Sequence, residues 1–254
     1  DRLNQGSHLY THETDSAYTS GTLPDNFKFD YNNGYYSDGN AQYFSWMWRR
    51  APGFMDVVAY TGDYGNNTFT GIPHNLGVEP EMAWIKKRDD TFALGKWMVY
   101  LKEFGTTKFM ALSSHDELRN DNDNAFGRFE ADKIRMGSSY HETNHTGADY
   151  VAYLFASLPG VCDIGTYTGT GSTQDIDCGF TNGARWFMIK RTDQPGDWYY
   201  TSQPGSPEFL LKFNNTDAQM NYSSTFTVPQ GFRVRSTLGD INVSGAEYIY
   251  MAIA

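Results

Sequence analysis

The chain has 254 residues, a formal net charge of −10 and 16% aromatic residues, including 18 Tyr and 6 Trp. That length holds two ordinary domains and an arm. The acidic balance disfavours nucleic acid and anionic membranes as partners, because both need a basic surface, and no apolar run is long enough to insert in a membrane.

In chain order, Asp1 to Asn40 is polar, with Tyr18, Phe27, Phe29, Tyr31, Tyr35 and Tyr36 set among Gly, Asn and Asp. Phe27 to Tyr31 alternates apolar and polar residues and predicts a short half-exposed strand, with Asn32-Asn33-Gly34 as its turn. From Tyr43 the chain begins to repeat itself. YFSWMWRRAPGFMDVVAYTG (Tyr43 to Gly62) aligns without a gap to YVAYLFASLPGVCDIGTYTG (Tyr150 to Gly169). Further matches are Ile85 to Asp89 with Ile189 to Asp193, Trp97 with Trp198, Ser113 to Asp116 with Asn214 to Asp217, and Gly147 to Tyr150 with Gly245 to Tyr248. A period near 107 residues is too long for a solenoid, so each unit is expected to be a domain with a core.

The repeat predicts three segments: residues 1–52 as an arm ending in the closing strand of a preceding unit, 53–158 as module one and 159–254 as module two. Too little chain precedes Tyr43 to build a unit, and the first residue is Asp1, so a longer polypeptide is expected.

Unit one predicts strands at Asp56 to Thr61, Glu81 to Lys86, Trp97 to Tyr100, Lys108 to Leu112, Lys133 to Met136 and Tyr150 to Phe155. Unit two predicts them at Asp163 to Tyr167, Ala184 to Lys190, Asp197 to Tyr200, Glu208 to Phe213, Thr225 to Val228, Phe232 to Arg235 and Ala246 to Ile253. Short strands, Gly/Asn/Pro turns and no helical stripe define an all-β class: two tandem antiparallel sandwich or jelly-roll-like modules. The apolar closing strands at Tyr150 and Tyr248 read as interior rather than edge strands. Cys162 and Cys178 have no counterparts in unit one and predict two buried free thiols, with a cross-strand bond as the alternative.

The strings FSWMWRRAPGFMDVVAYTG, HNLGVEPEMAWIKKR (His74 to Arg88) and YLFASLPG, followed by YTGTGSTQDIDCGF and IKRTDQPGDWY, resemble a C-terminal module of tail-fibre and tailspike-like virion proteins of tailed bacteriophages, above all marine and cyanobacterial ones. The resemblance covers Tyr43 to Ala254 and carries no catalytic residues. It implies a virion localisation, other virion subunits as partners, a homotrimer, and a bacterial surface glycan or protein receptor.

Aromatic side chains are the candidate binding residues, because sugar rings stack on flat aromatic faces. The unmatched Trp186, Tyr199, Tyr200 and Tyr222 are the first candidates, followed by the matched pair Trp97 and Trp198, for which a core role is the competing expectation. Asp121 to Asn124, with Asp116 and Glu117, has oxygen ligands but lacks the glycine and closing glutamate of a calcium loop. His8/His12 and His141/His145 lack a third zinc ligand, so no metal or other cofactor is expected. No nucleophile elbow or phosphate loop is present, and Asp56/Asp163, Asp89/Asp193 and Asp116/Asp217 are assigned to turns and strand ends. The five Asn-x-Ser/Thr triplets, from Asn66 to Asn242, are what such a composition yields by chance. The expectation is a non-enzymatic attachment segment. A purely structural virion component and a glycan-degrading tailspike with an acidic groove at a domain boundary are the alternatives.

Overall fold

The computed structural model describes residues 7–19, 46–63, 71–89, 95–120, 125–137, 141–203, 208–218, 220–222, 227–235 and 240–254. The strand expected at Phe27 to Tyr31 and the Asp121 to Asn124 run lie outside them. The described chain is all-β, apart from short helical turns at Lys102–Phe104 and His141–Asn144.

Each unit builds one large and one small antiparallel sheet. Unit one comprises β3 (Met55–Thr61), β4 (Ile72–Pro73), β5 (Met82–Lys87), β6 (Met98–Leu101), β7 (Gly105–Ala111), β8 (Arg119–Asn120), β9 (Phe126–Phe129), β10 (Lys133–Met136) and β11 (Asp149–Phe155). Unit two comprises β12 (Cys162–Thr168), β13 (Gln174–Asp177), β14 (Trp186–Arg191), β15 (Trp198–Gln203), β16 (Glu208–Lys212), β17 (Met220–Tyr222), β18 (Thr227–Val228), β19 (Gly231–Val234) and β20 (Glu247–Ile253). The large sheets run β3-β11-β5-β6-β7-β8 and β12-β20-β14-β15-β16-β17, the small ones β4-β10-β9 and β13-β19-β18. The arm adds a two-stranded ladder, β1 (Ser7–His8) with β2 (Tyr18–Thr19). The closing strands β11 and β20 each sit between two partners, so they are interior strands as their apolar sequences require.

Successive strand residues face opposite sides of a sheet. Along β5, Met82 and Trp84 face one cluster of buried residues and Ala83 and Ile85 another; β14 repeats this with Trp186 and Met188 against Phe187 and Ile189. All of these residues are buried, so both faces of each large sheet are covered. The small sheets cover the outer faces. The inner faces meet in one cluster that draws Met82, Trp84, Val99, Met110 and Phe155 from unit one and Trp186, Met188, Ile249 and Met251 from unit two. Among the described residues the two units thus form four layers of three, six, six and three strands, with the arm's two-stranded ladder beside them. Each module is sandwich-like, with a core between its own large and small sheets, and the two share a further core between their large sheets.

The repeated Tyr-Thr-Gly triplet has a structural cause. Tyr60 stacks on Tyr150 with centroids 5.0 Å apart, and Tyr167 stacks on Tyr248 at 4.9 Å. Tyr60 donates to Thr143 O and Tyr167 to Ile241 O, while Thr61 bonds Asp149 and Thr168 bonds Glu247. A Cβ on Gly62 would lie 2.2 Å from His145 O, and one on Gly169 2.2 Å from Val243 O. Gly62→Ala and Gly169→Ala should therefore each lower stability by about 1–3 kcal/mol through forced backbone displacement. Urea unfolding checks this, and an unchanged midpoint for both would contradict it.

Candidate functional site at the seam between the units

The structure places four of the six expected binding aromatics in the interior. Trp97, Trp186, Trp198 and Tyr199 expose at most 4% of their surface. Tyr200 is half-buried and stacks on Phe213 at 4.2 Å. Tyr222 lies in β17, and its side chain is outside the described part. The expectation of solvent-facing rings is therefore corrected for Trp186 and Tyr199, because a buried ring presents no face to a sugar, while Trp97 and Trp198 take the competing core role. All six tryptophans lie in or against the shared core. The cause is architectural, since a strand covered on both faces has no outward positions.

What the matched tryptophans do instead is join units. The Trp198 indole donates to Ala111 O of unit one at 2.8 Å, and Leu118 N donates to Thr192 O of unit two at 2.9 Å. Beside them the wholly buried Lys190 donates to His115 O at 3.2 Å and to Gly196 O at 2.7 Å. The arm makes the same set on unit one. Trp97 donates to Tyr10 O at 2.8 Å, Lys86 donates to Thr14 O at 2.8 Å and Gly95 O at 2.6 Å, and Ala17 N donates to Arg88 O at 2.7 Å. Sequence reading paired Lys86 with Lys190 but did not recognise a buried lysine, because its acceptors come from a distant part of the chain. Burial lowers both ammoniums to about 8, against the opposing pull of Asp15 on Lys86 and of Asp197 and Asp116 on Lys190.

The same junction leaves a concave surface. Two adjoining hollows of about 310 and 360 Å³ run along the seam and share Glu103 and Thr166. Their walls carry Glu81, Glu103, Glu117, Asp193 and Glu247 against Lys102 and Lys108, with Thr166, Thr192 and Gly165 between them. Glu81 is oriented by Ser157, whose hydroxyl donates to it at 2.5 Å and accepts from Ile164 N at 3.0 Å. Arg191 holds Asp193 at 2.8 Å and keeps its carboxyl below the usual range. Gly165 makes room for Tyr250: a Cβ there would lie 2.7 Å from its hydroxyl.

Under this wall Tyr250 donates to Asp163 at 2.5 Å. Burial is the main force raising the Asp163 carboxyl and both cysteine thiols. Cys162 and Cys178 are free and buried, as expected, and thiols held this high are not nucleophiles at neutral pH. The matched aspartates take structural roles. Asp116 N donates to Ser114 Oγ and Asp217 N to Asn215 Oδ1, so the turn-former is the residue two before each aspartate. Their carboxylates pair with Arg119 at 2.7 Å and Lys212 at 2.8 Å. Among the described residues no cluster of three or more His, Cys, Asp or Glu side chains could hold a metal ion.

Fold and seam define a class: a tandem-repeat, all-β protein whose units are fastened through buried lysine and indole donors. The chain belongs to the family described as a domain of unknown function, DUF7483, which matches residues 6–254, arm included. No curated protein and no solved structure matches it.

Two predictions follow from the seam chemistry. Trp198→Phe leaves the Ala111 carbonyl without its indole partner and should cost about 1–3 kcal/mol, read from urea midpoints. The lysines also set a pH dependence. Their folded value of about 8 lies below the unfolded 10.5, so above pH 8 the native state sheds protons that the unfolded chain keeps, and stability rises. The thiols have the opposite sign, with folded values raised above the usual 9.0, and remove stability above that pH. Thermal unfolding should therefore show stability increasing from pH 8 to about pH 9. Lys86→Met/Lys190→Met should flatten that rise; an identical rise in the double variant would refute the assignment.

Proposed function

We propose that this chain is a non-enzymatic display and attachment segment of a virion fibre or spike, assembled as a homotrimer with other virion subunits. Its seam groove, rather than any aromatic face, takes the host-surface glycan. The observation that carries this reading is the seam itself: the groove walls come from two units that the lysine and indole bonds hold in register, so the site is preformed. Carboxylates, lysines and threonines projecting into it are hydrogen-bonding partners for sugar hydroxyls. The phage resemblance of Tyr43 to Ala254 supplies the virion context. Packing of all six tryptophans in or against the core, four of them buried, favours a second reading, a purely structural fibre component.

A glycan array and whole-cell binding, with the mass from light scattering, separate the two. A trimer that binds saturably, and loses about ten-fold or more in affinity on Glu103→Arg with an unchanged melting temperature, is the expected result. No binding from a folded trimer leaves the structural reading. Release of sugar reducing ends, abolished by Glu103→Gln, would instead make the groove a glycan-degrading site.

A further inference from the structure

The arm reproduces part of a unit. The same offset separates Tyr10 from Ala111, Thr14 from His115 and Ala17 from Leu118, the residues that contact Trp97 or Trp198, Lys86 or Lys190, and Arg88 or Thr192. It also carries the β1–β2 pairing (Ser7 with Thr19, His8 with Tyr18) onto the β7–β8 pairing (Lys108 with Asn120, Phe109 with Arg119). The arm is therefore the hairpin tip of one more unit. Downstream, Trp46 to Pro52 matches Tyr153 to Pro159, with the same bridge, Ala51 to Met55 against Leu158 to Cys162. Trp48 enters the shared core and meets Trp84, Phe155 and Trp186 at 4.8–6.2 Å.

Unit two carries the third tip at the same offset, from Lys212 to Asp217. Its own unit preorganises it: Lys212 pairs with Asp197 and Asp217 at 2.8 Å, and Asn214 bonds Asp197 and Trp198 N. Among the described residues, neither an indole nor an ammonium reaches the carbonyls of Lys212 and Thr216, the counterparts of Ala111 and His115. The third tip nevertheless lies beside the first, since Thr11 Oγ1 donates to Phe213 O at 2.8 Å. The tips of the first and last units in a row would be far apart, whereas three units arranged around a common core bring them together. Met47 agrees: it is 56% exposed, while its counterparts Leu154 and Ala252 are wholly buried.

We propose that the face formed by Lys212 to Asp217, arm residues 7–19 and Trp46 to Trp48 docks the front half of a third unit of this same repeat. That partner presents a strand-borne lysine to Thr216 O and an indole N–H to Lys212 O, closing a three-unit ring around the shared core. The occupant is fixed by chemistry, because the two filled positions on this chain take those donors in that spacing.

Two experiments test the ring. On the chain as it stands, amide hydrogen exchange should be about ten-fold faster at Asn214 to Thr216 than at Ser113 to His115, which unit two covers. Equal protection would show that the face is not open and would overturn the proposal. In a second chain, a copy of residues 53–104 is joined ahead of Asn4, the register set by the offset. Exchange at the third tip should slow to match Ser113 to His115, and peroxide oxidation of Met47 should slow about ten-fold. Lys86→Met and Trp97→Phe in the added copy alone should reverse both effects. An added copy that exchanges as unfolded chain, with Met47 oxidised at its original rate, would likewise overturn it. Loss of glycan binding in neither experiment bears on the ring, so the two proposals fail separately.

Discussion

A lysine ammonium carried into a sheet interior must be met by acceptors, and β-strands have few to spare, since their carbonyls are spent on neighbouring strands. Lys86 and Lys190 meet this constraint by reaching at once the turn that follows their own strand, β5 or β14, and the tip of another unit. One acceptor is local and the other foreign, so neither lysine is satisfied until two units have come together. The neighbouring indole obeys the same rule. These donors tie unit two to the tip of unit one, and unit one to the arm, beside the shared core and the seam groove.

The two units have drifted apart where this constraint does not act. In β3 and β11, Val58 faces Ala152 across the ladder, whereas in β12 and β20 the same pair is Gly165 and Tyr250. Bulk has moved from one strand to the other at constant register, and the tyrosine hydroxyl thereby reaches Asp163 in unit two. In unit one the matching Asp56 is instead held by the amides of Val57 and Asn75. One backbone frame thus supports two different polar interiors.

Much of the frame was legible in the sequence. Apolar alternation marks most strands of the large sheets and, in the small outer sheets, β10 to the residue and β18 and β19 within two residues. The outer strands β4, β9 and β13 are not marked: β4 has two residues, and β13 reads Gln-Asp-Ile-Asp, a pattern that solvated turns share. Trp186 and Tyr199 read as surface candidates, since strand alternation says nothing about whether the second face is covered. Lys86 and Lys190 were hidden for the opposite reason: charge argues for the surface, and only the fold brings the acceptors.

Because the clasping donors read main-chain carbonyls, the tip they grip has no side-chain password. The three tips are Tyr-Thr-His-Glu-Thr-Asp, Ala-Leu-Ser-Ser-His-Asp and Lys-Phe-Asn-Asn-Thr-Asp, alike in little but the final aspartate. At the clasp a turn can therefore change its side chains and keep its grip, whereas the shared core remains a side-chain joint whose residues must match across the units.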